Sequence, residues 1–284
     1  SKTRFYMPPR RQHRGGPPQR MSLGKKRLLS AIGRMQQEDA ASQAELTRAT
    51  KIQFNLLPER IPTIRGFDMK VHYHSAKEIG GDYYDFIPID HENLGIVVAD
   101  VSGKGVPAGM IMTMARTTIR LLARFNPSAR DTMIKFNKFI ARDIKNIMFL
   151  TVLYMVLNAR TSTLQVVNAG HNPLILYREG KIRLVNPAGI AVGFDLGPIF
   201  ERTLKEDLVQ IQPGDRIVAY TDGVVECMNE YQEEFGEDAF LEIVEEHGHK
   251  SSADFLNELV GALDRHQGRA TQHDDITVVT FKYQ

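Results

Sequence analysis

A chain of 284 residues, 42% hydrophobic and 25% charged, is long enough for one large domain or two small ones and has the composition of a folded globular protein, not of a disordered or fibrous one. Its longest apolar runs, Leu94–Ala99 and Val152–Leu157, fall far short of the roughly 20 residues that span a bilayer, and no apolar stretch of signal-peptide type follows the basic start. The formal net charge of +2 conceals ten Lys and Arg and no acid in residues 1–34, which leaves the remainder at −8 and argues against a nucleic-acid-binding core.

In chain order, the first element is a basic arm, 1–27, whose Pro8, Pro9, Gly15, Gly16, Pro17 and Pro18 cannot build a core. It reads as a solvated tail or tether, with contact to anionic lipid or nucleic acid as the alternative. The linker segment 28–57 follows, and the spacing predicts one long helix from Leu28 to Leu56. Leu28, Ile32, Met35, Asp39, Ser42, Leu46, Ala49, Gln53 and Leu56 alternate steps of four and three, a coiled-coil seam with polar residues at three positions. A switchable homodimer contact and a helix lying on its own domain both fit that seam. Leu57-Pro58 stops the helix, and a domain spanning 58–284 begins there.

Within that domain the pattern becomes short β-branched and aromatic runs divided by turn residues. Strands are predicted at 67–74, 82–89, 94–101, 149–157, 163–169, 173–178, 181–185, 199–205, 216–221 and 276–283. Helices are predicted at 106–125, 128–146, 237–247 and 252–266. Consecutive strands with short turns predict antiparallel sheets and an α+β class. Met110, Met112 and Met114 read as flexible core filler in the helix 106–125. Ser102-Gly103-Lys104-Gly105 lacks the earlier glycine and the following Ser or Thr of a phosphate loop. The acidic run Glu226–Glu246 reads as a solvated face, with a mobile flap as the alternative, and the lone Cys227 as structural, in a chain expected in the reducing cytoplasm.

The chemistry concentrates in carboxylates at strand ends. If the strands around Asp82 and Asp100 form a hairpin centred on His91, facing residues have numbers summing to 182, which pairs these two acids. Directly opposed side chains lie about 5 Å apart at Cβ, where like charges repel unless a shared proton or a cation intervenes. Hard divalent ions such as magnesium and manganese favour such oxygen ligands. Asp222 closes the strand Arg216–Thr221, and Asp274-Asp275 opens the strand Ile276–Val279. Spacing alone does not bring these to the first pair.

Five ordered motifs then become legible: Gly80-Gly81-Asp82-Tyr83-Tyr84-Asp85, Ala99-Asp100-Val101-Ser102-Gly103-Lys104-Gly105, Asn168-Ala169-Gly170-His171-Asn172-Pro173, Tyr220-Thr221-Asp222-Gly223 and His273-Asp274-Asp275-Ile276-Thr277. Over about residues 51–284 the chain closely resembles the SpoIIE-type branch of the PPM family, metal-dependent phosphatases related to protein phosphatase 2C. The resemblance implies an αββα sandwich of two antiparallel sheets flanked by helices, with two Mn or Mg ions at one end. It implies that Asp100 bridges both ions, that Asp82 serves one directly or through water with help from the carbonyl of Val101, and that Asp222 and Asp274 hold the other, Asp275 being the weaker substitute. The implied reaction is hydrolysis of phosphoserine or phosphothreonine by a metal-activated water. The implied partner is a phosphorylated anti-sigma-factor antagonist in a partner-switching pathway, with a sensory or membrane-attached region preceding the linker helix. A scaffold that keeps the fold but sequesters a partner is the competing reading. The eukaryotic branch carries a histidine where Ser102 stands, which leaves the proton donor unassigned; His171 and His273 read as turn or packing residues.

Overall fold

The computed structural model describes residues 23–145 and 147–284, so most of the basic arm lies outside the described residues. Two compact units divide at Glu45 and Leu46. The first contributes the opening part of helix α1 (Leu23–Phe54), where Ile32 and Met35 are exposed. The helix thus begins earlier than Leu28 and ends shortly before Leu57 and Pro58. Among the described residues no helix is long and apolar enough to cross a membrane.

The second unit holds two five-stranded antiparallel sheets. One runs in the order β1 (Phe67–His74), β10 (Ile276–Tyr283), β9 (Arg216–Tyr220), β6 (Leu174–Arg178), β7 (Lys181–Val185); the other runs β2 (Tyr83–Pro88), β3 (Asn93–Val101), β4 (Leu150–Asn158), β5 (Thr163–Ala169), β8 (Asp207–Gln210). Side chains alternate across each strand, and in β3 and β4 both faces are buried. Leu94, Ile96 and Val98 enter the core between the sheets, whereas Val97, Ala99 and Val101 pack beneath helices α2 (Val106–Ala123) and α3 (Ala129–Ile144). That double burial explains the continuous apolar runs in these strands. On the far side, Val218, Tyr220 and Val278 pack with α5 (Glu237–His247) and α6 (Ser252–Gln267). Layer order is therefore αββα, as expected. Each fully buried aliphatic side chain contributes about 1.5–3 kcal/mol.

Two arginines lock helices to strands. Arg120 of α2 makes a two-pronged contact with the buried Asp85, at 2.5 and 2.8 Å. Arg216, wholly buried in β9, donates to Gly248 O, Lys250 O, Ser252 Oγ and Thr280 Oγ1, which pins the α5–α6 connection.

Two expectations change. Residues 199–205 are not a strand: Ile199–Thr203 form a short helix α4, entered from Pro198. Phe200 and Leu204, four apart and both buried, satisfy helical spacing as well as alternation. The strand lies just beyond, in β8, an edge strand whose one buried side chain, Val209, leaves too weak a pattern to read. Of the three methionines, Met112 is buried, but Met110 is 69% exposed and lines an apolar groove of about 340 Å³ with Ile52, Ile79 and Val106.

Candidate active site

Both sheets deliver their acids to the same end of the sandwich. In the β2–β3 hairpin Tyr83 pairs with Ala99 and Tyr84 with Val98, so the register sums to 182 and sets Asp82 against Asp100. In the other sheet Thr221 N donates to Thr277 O, extending the β9–β10 ladder to where Asp222 leaves and Asp274 enters. The two sheets thus supply two acids each.

The carboxylates differ in what holds them. Asp82 is buried, and its Oδ2 accepts from Thr221 Oγ1 at 2.8 Å and Thr277 Oγ1 at 2.5 Å. Burial first, then the charge of Asp100, nevertheless holds its carboxyl far above the usual range. Asp100 is pushed up to about 8 by burial and by the charges of Asp222, Asp274 and Asp275. Asp222 is raised by burial and by Asp274. Asp82, Asp100 and Asp222 resist ionisation because burial and neighbouring negative charge outweigh the cationic groups near them, and the donors of the cluster are all oxygen. These residues fit a hard divalent cation.

Glu226 belongs to the group although sequence reading placed it on a solvated face. A 3₁₀ turn, Asp222–Val224, follows β9, and Glu226 N donates to Asp222 O at 2.8 Å. Carboxylate oxygens of Asp222, Glu226 and Asp274 then lie within 4.8 Å of one another. Burial, Asp222 and Asp274 raise Glu226 as well. The legible signal was an acid four residues after a strand-end aspartate, one helical turn away.

Asp275 has a different task. Its Oδ1 accepts from Ser75 Oγ (3.1 Å) and Ala76 N (2.8 Å), and its Oδ2 from Gly81 N (2.7 Å) and Asp82 N (3.3 Å). It clamps the loop that presents Asp82. Gly80 is required there, because a Cβ would meet Asp275 Oδ2 at 2.5 Å. Gln53 grips the same loop from α1, donating to Gly80 O at 2.7 Å and accepting from Gly80 N at 3.0 Å. The carbonyl of Val101 faces Gly81, lying 3.1 Å from where its Cβ would be.

Asn168–Pro173 is a turn joining strands, but the strands belong to different sheets, so it is a crossover. Asn168 closes it by donating to His171 O and accepting from His171 N. His171 Nδ1 lies 2.8 Å from Thr151 Oγ1, and burial lowers its pKa to about 4, so the ring is neutral. It lines a cavity of about 70 Å³ with Asp100, Thr151 and Asp222. Ser102 Oγ accepts from Phe149 N at 2.9 Å. His273 is exposed, and Cys227 is buried among apolar side chains.

A family profile described as Stage II sporulation protein E (SpoIIE) matches residues 90–284. The chain belongs to the SpoIIE family. Among sequence relatives of this SpoIIE-family chain, Protein IcfG of Synechocystis is 27% identical over 85% of the chain and 42% of its own length. Phosphoserine phosphatase RsbU of Bacillus subtilis is 27% identical over 87% of the chain and 71% of its own length. The chain therefore spans less than half of the first and under three quarters of the second. The SiaA-PP2C domain of Pseudomonas aeruginosa, 20% identical, matches the fold with a TM-score of 0.77 over 87% of this chain and 99% of that one. The sandwich is thus the protein phosphatase 2C fold.

Proposed function

We propose that this chain is a Mn- or Mg-dependent serine/threonine protein phosphatase of bacterial signalling, acting on a phosphorylated anti-sigma-factor antagonist. The observation that carries the reading is the meeting of Asp82 and Asp100 from one sheet with Asp222, Glu226 and Asp274 from the other, in a cluster where Asp82, Asp100, Asp222 and Glu226 are held above their ordinary range. RsbU, a phosphoserine phosphatase by name, supports the substrate class.

In this reading Asp82, Asp100 and the carbonyl of Val101 would hold one ion, and Asp100, Asp222 and Asp274 would hold the other, with Glu226 beside them. Bound there, the ions supply an activated water and neutralise the phosphoryl oxygens. The chain's own residues do the positioning. Thr221 and Thr277 orient Asp82, and Asp275 with Gln53 fixes the loop that carries it. His171, neutral and buried, carries no acidic proton at neutral pH and is therefore not the proton donor to the leaving alkoxide. The linker 28–57 pairs two chains and transmits a signal from an upstream sensory or membrane-attached region to the Gln53 contact, with the phosphatase domain, 58–284, in the cytoplasm.

Phosphate release from a phosphoserine protein with added manganese tests the reading. Asp100→Asn is expected to lower turnover by about 10²–10³-fold, the range seen on removing one electrostatic stabiliser. Equal release by both proteins would sink it.

A further inference from the structure

Lys104 lies in the segment joining β3 to α2, the one whose glycines suggested and then failed a phosphate loop. Its ammonium reaches the opposite sheet: Nζ lies 2.8 Å from Asp274 Oδ2 and donates to His273 O at 2.6 Å. The side chain remains 39% exposed and that of Asp274 30%, and a pair so open to water adds little to the stability of a fold. Its location carries the meaning. Asp274 is one of the three carboxylates gathered with Asp222 and Glu226, and the charge of Lys104 reaches both of those as well. A divalent ion bound to the same oxygen at about 2.1 Å would face the ammonium at a distance where like charges repel strongly. The ammonium and the ion therefore exclude one another. The ammonium also has somewhere to go: its side chain is already partly in solvent, and the space beside the neighbouring Gly105 is open, with nothing within 4 Å of where a Cβ would stand.

We propose that Lys104 is the resident counter-ion of the carboxylate cluster, occupying Asp274 until a divalent cation displaces it and so setting the cation concentration at which the centre loads. This rests on the metal-centre reading above. It makes the centre stable when empty and gives it a loading threshold. A lysine that merely anchored the His273–Asp274 segment would act with the opposite sign, since its loss would loosen a ligand and weaken cation binding.

The test is manganese binding to chelator-stripped protein, followed by the electron paramagnetic resonance of free Mn²⁺, for the wild type, Lys104→Met, Lys104→Gln and Lys104→Arg. The two neutral variants are expected to bind about five-fold more tightly, the change that losing a partly exposed ion pair gives, and Lys104→Arg to bind like the wild type. In chelator the neutral variants should melt below the wild type, and in saturating manganese the melting temperatures should converge. Unchanged or weaker manganese binding in the neutral variants would overturn the proposal while leaving the metal centre intact. No manganese uptake by any of the four proteins would overturn both.

Discussion

Asp274 and Asp275 are adjacent, chemically identical and differently employed, because each carboxylate meets a different number of donors before any cation arrives. Asp275 receives four hydrogen bonds from the loop Ser75–Asp82, whereas Asp274 receives one from the neighbouring backbone, Asp275 N, and faces Lys104. Asp275→Ala leaves buried N–H groups unpaired and is expected to cost about 3 kcal/mol in urea unfolding. Asp274→Ala, which removes an exposed pair, should change the same measurement by less than about 1 kcal/mol. A comparable loss in both would erase the distinction. Sequence motifs favoured Asp274 over Asp275, and what distinguishes the two in the structure, the saturation of Asp275, exists only once loop and strand meet across a sequence separation of 200 residues. Glu226 was harder to read than the aspartates for a related reason: its membership depends on a single 3₁₀ turn at the start of an otherwise solvent-facing acidic run.

At the scale of elements, the β2–β3 register could be read because a tight antiparallel hairpin fixes every pair once its centre is known. The convergence of that hairpin with β9 and β10 could not, since no local pattern says which end of one sheet faces which end of the other. The α4 and β8 region failed at a smaller scale, where Phe200 and Leu204 satisfy two periodicities at once. The element contact most open to test is α2 on β2. Arg120→Ala strips the fully buried Asp85 of its two-pronged partner, leaving only Tyr83 OH and Phe86 N as donors. Because the arginine itself is half-exposed, the expected loss is about 3 kcal/mol, at the lower end for a broken buried pair. Lysine cannot restore the two-pronged geometry, so Arg120→Lys should recover less than half of it, as read by urea unfolding. Full recovery would reduce the contact to charge alone.

For the molecule as a whole, the carboxylate cluster ties stability to pH and to cations. Asp100 has a folded pKa of about 8, against roughly 3.9 for a free aspartate, so between those values the folded state holds a proton that the unfolded state has lost. That contribution is complete at low pH and disappears as the pH rises through 8. The melting temperature of chelated protein is therefore expected to fall between pH 5 and pH 8.5, and saturating manganese, which needs ionised ligands, should flatten or reverse the slope. The acids titrate as a group, so the transition will be broad. Anomalous diffraction from crystals soaked in manganese chloride would show which carboxylates hold the cation. Manganese is expected on Asp100, Asp222 and Asp274, with Asp275 still hydrogen-bonded to its loop; manganese absent from this cluster, or held by Asp275 in place of Asp274, would rule out the metal centre proposed above.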